Sequence, residues 1–209
     1  MLKKMSLIFL SFVTLLFFCK KLPVIYAESP NNIVTLSIGA GGVIAGDTVD
    51  VSVNIGNHDN ISVCVIELKI YYNSLYFTPQ ARISGFASDT DVNLYDHSNR
   101  IRVVWENLSN APVTENNIVT VRFAVSDNTP GGAYPITIEC IEFYDLSIPP
   151  KNIDHTLVNS DVIVVDVDAV KNHLLKKTVL TGLAADAANT TGADDITVVD
   201  LLTIKEKGL

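Results

Sequence analysis

Glu67, Glu106, Glu139 and Glu142 are the carboxylates that could support glycosidic chemistry, which needs two such groups flanking one scissile bond. All four lie in segments of alternating polarity, where outward, solvated glutamates are the simpler expectation. His58, His97, His155 and His173 are scattered, without the His-Glu-x-x-His spacing that binds zinc. Neither a Gly-x-Ser-x-Gly elbow nor a phosphate-binding glycine loop occurs. Tyr71, Tyr72, Tyr76 and Trp105 offer aromatic surface for stacking against sugar rings. Trp105 shares the parity of Ile101 and Val103, which assigns it to a core. These residues make a binding protein rather than an enzyme.

Charge and targeting narrow the partners. The chain has 209 residues, 15 Lys+Arg against 23 Asp+Glu and a formal charge of −8. Lys3 and Lys4 precede an apolar run over residues 7–18, and Pro23 precedes the small Ala27. That run is shorter than the ~20 residues of a membrane span, so residues 1–27 have the form of a secretory signal. Removing them takes away four lysines and no acids, leaving −12. Such a chain repels phosphate backbones, which excludes nucleic acid. The expected location is extracellular, with association to a cell surface left open. Cys64 and Cys140 remain after processing, as one bridge or, the favoured reading, two buried thiols.

The elements that must position these residues are strands. Val49, Val51, Val53 and Ile55 alternate with polar residues, and Val119, Val121, Phe123 and Val125 repeat the pattern. Ile101, Val103 and Trp105 share one face; Cys64, Ile66, Leu68 and Ile70 share another. Ile136, Ile138 and Cys140 follow, after which Ile141 and Phe143 swap parity and signal a bulge. Eight or nine short strands separated by Gly, Pro and Asn turns predict an all-β, two-sheet sandwich over residues 28–166. Beyond Val165 the period becomes helical. Val170, Leu174, Leu175 and Val179 recur from a capping Asp168, and Val198, Leu201, Leu202 and Lys205 form a second pattern. Residues 167–209 are therefore a short α-helical tail, marginal alone at about forty residues.

The sandwich resembles a cohesin domain, the receptor module of cellulosome scaffolds. The runs VIAGDTVDVSV at 43–53, IELKIYYNSL at 66–75, NRIRVVWE at 99–106, IVTVRFAV at 118–125 and PGGAYPI at 130–136 carry the likeness through their order and spacing. The resemblance implies a jelly-roll sandwich of about nine strands, similar also to carbohydrate-binding modules. It implies binding, through one sheet face, to dockerin modules of polysaccharide-degrading enzymes. Outward parity assigns that face Val63, Val65, Glu67, Lys69 and Tyr71, flanked by Asn93, Tyr95, Arg102, Val104 and Glu106, with Thr137 and Glu139 at the far side. Apolar Val63, Val65 and Val104 on a supposed wet face favour an interface. A carbohydrate-binding module, with polysaccharide as its ligand, is the alternative.

The tail resembles a reduced dockerin. DAVKNHLLKK at 168–177 is similar to that module's first helix, and ITVVDLLTIK at 196–205 to the end of its second calcium loop and the following helix. A twelve-residue loop would run from Asn189 through Thr191 to Asp200. Calcium wants six to eight oxygens, largely carboxylate. Ala193 supplies none at the fifth position, and Asn189 and Thr191 are neutral. Asn189, Thr191 and Asp200, with Asp194 or Asp195 rearranged, could form at best a weak calcium site. No cofactor is required, and a tail docked without metal is the favoured reading. Were the tail to bind another cohesin, Val198, Leu201 and Leu202 would be its apolar stripe, or else the core of its own helix pair.

Overall fold

The computed structural model describes residues 33–58, 61–107 and 112–206; the expected signal, residues 1–27, lies outside them. Period-two segments form β1 (Val34–Gly39), β3 (Thr48–Gly56), β4 (Val63–Tyr71), β6 (Val92–His97), β7 (Arg100–Glu106), β8 (Asn117–Val125), β9 (Gly132–Asp145) and β11 (Ser160–Val165). Three further strands are β2 (Gly42–Ile44), β5 (Phe77–Ser84) and β10 (His155–Val158). One sheet has the order β10-β1-β3-β8-β5 and the other β2-β11-β9-β4-β7-β6. The β1–β10 and β2–β11 pairs are parallel; the remaining neighbours are antiparallel. The sandwich expected from the alternation is thus present, with more strands than the nine anticipated.

Alternation explains the core directly. Leu36, Val51, Val53, Val121 and Phe123 of one sheet, and Ile66, Leu68, Ile70, Ile101, Val103 and Phe143 of the other, belong to one buried cluster. Phe123 meets Tyr72 edge-on at 5.1 Å and Phe77 at 6.4 Å. Each large side chain so buried contributes about 1.5–3 kcal/mol. Proline explains why β5 is an edge. Pro79 cannot donate to a ladder, and its strand has a single neighbour, β8.

The tail forms α1 (Val167–Leu174), α2 (Leu183–Ala188) and α3 (Val198–Glu206). Its first cap is Asp166, not Asp168. Asp166 is extended, with φ −103° and ψ 168°, and its Oδ1 accepts from Ala169 N–H at 2.7 Å. Asp168 lies within the first turn and pairs with Lys171 at 2.8 Å. Asp166 Oδ2 also accepts from Gly131 N–H at 3.0 Å, tying the tail to the β8–β9 turn. Ile44 and Val165 of the sandwich share a second apolar cluster with Val170, Ala188 and Ile204 of the tail. At Gly42 a Cβ would sit 2.0 Å from the Leu183 carbonyl oxygen, so only glycine admits α2 against edge strand β2. The tail thereby covers an edge that would otherwise invite strand pairing. Leu201 is half-buried, whereas Val198 and Leu202 are exposed. The expected stripe is thus divided between cluster and solvent.

Candidate protein-binding face

Strand β4 runs between β7 and β9, so each outward residue has two cross-strand neighbours. Tyr71 stands between Arg100 and Thr137, and Lys69 between Arg102 and Glu139. Glu67 stands between Val104 and Glu142, and Val65 between Glu106 and Tyr144. Asn93 of β6 extends the Arg102 row. Ten of the twelve face residues expected from parity occupy this surface: Val65, Glu67, Lys69, Tyr71, Asn93, Arg102, Val104, Glu106, Thr137 and Glu139.

Two expected residues lie elsewhere. Val63 is 0% exposed and belongs to the core. The ladder slips at Cys64: Val63 pairs with Asp145 and Val65 with Tyr144, and the extra residue turns Val63 inward. Tyr95 is exposed but sits at a sheet edge. Its hydroxyl donates to the Pro79 carbonyl of β5, in the opposite sheet, at 3.1 Å. A second slip, at Ile141, brings Glu142 and Tyr144 onto the face. These two are face residues that simple parity missed; Arg100, which shares the parity of Arg102 but was left out of the expected set, joins them. The parity swap between Cys140 and Phe143 was the signal that could have found the first two.

The face is held by paired charges. Glu67 lies directly beside Glu142, an unfavourable juxtaposition for like charges. Arg102 Nε donates to Glu67 Oε1 at 2.9 Å and offsets it. That carboxylate in turn holds the Arg102 guanidinium further above its ordinary value. Tyr71 Oη donates to Glu139 Oε2 at 2.6 Å, and Lys69 Nζ lies 3.9 Å from the same oxygen. The hydrogen bond to Glu139 pushes the Tyr71 phenol up. Val65, Val104 and Tyr144 supply half-buried apolar surface among these pairs. The outer positions of β3 differ: Asp50, Ser52 and Asn54 are polar, and Asp50 is bound by Arg122 through two bonds of 2.7 Å.

The four aromatics considered as a sugar-stacking platform are not brought together on one surface. Tyr71 is committed to Glu139, Tyr72 is buried against Phe123, and Trp105 packs on Phe86 at 4.8 Å. Tyr76 meets Tyr134 edge-on at 5.3 Å. Cys64 and Cys140 are free thiols. Burial raises both, Cys140 to about 11.

In the loop considered as at best a weak calcium site, Asp200 is surrounded by hydrogen-bond donors. Asp200 is 0% exposed. Its Oδ1 accepts from Thr190 Oγ1 at 3.2 Å and from Thr191 N–H and Oγ1 at 2.9 Å. Its Oδ2 accepts from Thr197 N–H at 2.8 Å and Oγ1 at 2.9 Å. Burial alone would push this carboxyl up, but the bonds from Thr197 and Thr191 hold it well below the usual carboxylate range. Asn189 Nδ2 donates to the Ala193 carbonyl at 2.5 Å, while Asn189 Oδ1 is buried without a partner. Asp194 and Asp195 are exposed. Among the described residues no three His, Cys, Asp or Glu side chains gather as a metal-binding group. One amide oxygen and a carboxylate already saturated by five donors do not fit calcium.

The comparisons with known proteins agree with the fold. A family model, the cohesin domain, matches residues 34–165. The seventh type I cohesin of ScaB from Pseudobacteroides cellulosolvens is 18% identical, with a TM-score of 0.56 over 64% of this chain and 93% of that one. The OlpA cohesin from Clostridium thermocellum, solved in a type I cohesin–dockerin complex, is 20% identical, with a TM-score of 0.53 over 64% and 100%. A non-cellulosomal cohesin from the archaeon Archaeoglobus fulgidus is 21% identical, with a TM-score of 0.53 over 68% and 97%. At these identities the structural likeness shows the fold alone. No curated protein matches the chain. The family model covers the whole sandwich from β1 to β11. The chain therefore belongs to the cohesin family, whose domain is a non-catalytic module for protein–protein interaction.

Proposed function

We propose that the protein is an extracellular scaffold or adaptor module that binds dockerin-bearing polysaccharide-degrading enzymes through the outer face of β9-β4-β7-β6. The observation that carries this reading is the face itself. Val65, Val104 and Tyr144 lie among the Glu67–Arg102 and Tyr71–Glu139 pairs on a sheet stiffened by the core behind it. Apolar patches with a polar surround mark partner surfaces. The family supports the choice of partner, since solved cohesins of similar fold are complexed with dockerins. The signal-like residues 1–27 support export. The tail acts as a fixed, metal-free cap on β2 and β11.

Capture of dockerin-bearing enzymes from the source organism by the immobilised chain tests the reading. Val104→Asp, which places a charge beside Glu67, is expected to weaken capture by about tenfold or more, as for a central apolar contact worth over 1 kcal/mol. Capture of none of those enzymes by the unmodified chain overturns it.

A further inference from the structure

We infer that the protein has a second binding site, for a neutral carbohydrate, in the groove where edge strands β5 and β6 meet, with Tyr95 as its stacking platform. Tyr95 is 68% exposed, yet it is fixed at two points. Its hydroxyl is anchored on the Pro79 carbonyl at 3.1 Å. Its backbone N–H donates to Asn93 Oδ1 at 3.1 Å, which locks the chain just before it. The ladder of β6 and β7 slips there: Asn93 pairs with Arg102 and His97 with Arg100, so three residues of β6 span one of β7. Asp96, within the slip, is held by Arg100 Nε at 2.5 Å. A bulge of this kind re-aims a side chain. Here it turns an aromatic ring away from the β4 face and over the seam.

The surroundings define the ligand. The groove has a volume of about 280 Å³ and is lined by Tyr72, Ser74, Thr78, Tyr95, His97 and Ser98, together with Phe77 and Pro79. Three hydroxyls and an imidazole thus surround an exposed ring, with Tyr72 buried beneath. Among the described residues lining it there is no Lys, Arg, Asp or Glu, in a chain of formal charge −8. A charged ligand finds no counter-charge here, and a purely apolar one leaves the hydroxyls unmatched. A sugar ring presents an apolar C–H face to the tyrosine and hydroxyls to the serine, threonine and histidine groups. The groove shares none of its lining residues with the ten residues of the Glu67–Arg102 face, so it would serve substrate attachment independently of the proposed enzyme capture.

Titration calorimetry of the full chain against cellohexaose, xylohexaose and an oligogalacturonate decides the matter. Saturable binding of a neutral oligosaccharide is expected, with the acidic one at least tenfold weaker, and Tyr95→Ala should weaken it by about tenfold, the worth of one aromatic contact. Tyr95→Phe keeps the ring, loses the Pro79 anchor and should fall between the two. It also controls for folding. Heat with neither neutral oligosaccharide, or binding unchanged in Tyr95→Ala, overturns the proposal. So does loss of dockerin-enzyme capture by Tyr95→Ala, which would place Tyr95 in the protein interface. Failure of enzyme capture in the unmodified chain, by contrast, leaves glycan binding as an independent result.

Discussion

Asp200 occupies the position where a calcium loop would end, and its two oxygens instead accept from Thr190, Thr191 and Thr197. Those bonds hold its folded pKa below the unfolded value of about 3.9. Their stabilisation is therefore present in full above that value and is lost as pH falls below it. The helical circular dichroism of the tail should accordingly decline below about pH 4. Asp200→Asn, which replaces one acceptor oxygen by a donor amide, should cost about 3 kcal/mol at neutral pH. Thermal unfolding checks this, and added calcium should leave the unfolding temperature unchanged. Sequence revealed the missing ligand at Ala193 and the neutral side chains of Asn189 and Thr191, but not what Asp200 does instead. Threonines Thr190, Thr191 and Thr197 are neutral, and only the closed loop brings their donors to one carboxylate. The cysteines add a second test at this scale. Cys64 donates to the Asp145 carbonyl at 2.9 Å, and burial raises both thiols. Both should resist thiol reagents at pH 8 and react readily in denaturant.

At the level of elements, the strands with unbroken alternation were legible and the slipped ones were not. Cys64, Ile66, Leu68 and Ile70 point inward as their spacing requires. Val63 does not follow, because the slip at Cys64 reverses its side. The slip at Ile141 was visible as a change of parity, whereas the one around Tyr95 left no such trace, since its strand has few apolar residues. β5 was hidden by Pro79, and β2 by its three-residue length. Helix α2 was also hidden: six residues are stabilised less by their own propensity than by packing on Gly42. Gly42→Val should therefore displace α2 from β2, at about 3 kcal/mol for a side chain forced against backbone. Limited proteolysis should then release residues beyond 166 while sparing the sandwich. A tail that stays protected in this variant would contradict the packing.

For the whole molecule, the two outer faces are unequal. The outer side of β3 carries small polar residues and the Asp50–Arg122 pair. The outer side of β4 carries Val65, Val104 and Tyr144 among linked charges. The core cluster behind both faces is shared, so partner choice rests on these surfaces and not on the fold. The tail closes the β2 edge and leaves the β4 face open, since its cluster uses Ile44 and Val165 at the far side of the six-stranded sheet. Most of that arrangement followed from periodicity. The docking of the tail did not, because it depends on Gly42 and Asp166 meeting groups distant in sequence. Dockerin binding by the β4 face is best measured by calorimetric titration of the full chain with a dockerin-bearing enzyme of its source organism. Saturable one-to-one binding is expected, weakened about tenfold or more by Arg102→Glu, which sets a second acid against Glu67. Absence of binding to every such enzyme, or binding unaffected by Arg102→Glu and Val104→Asp together, would contradict it.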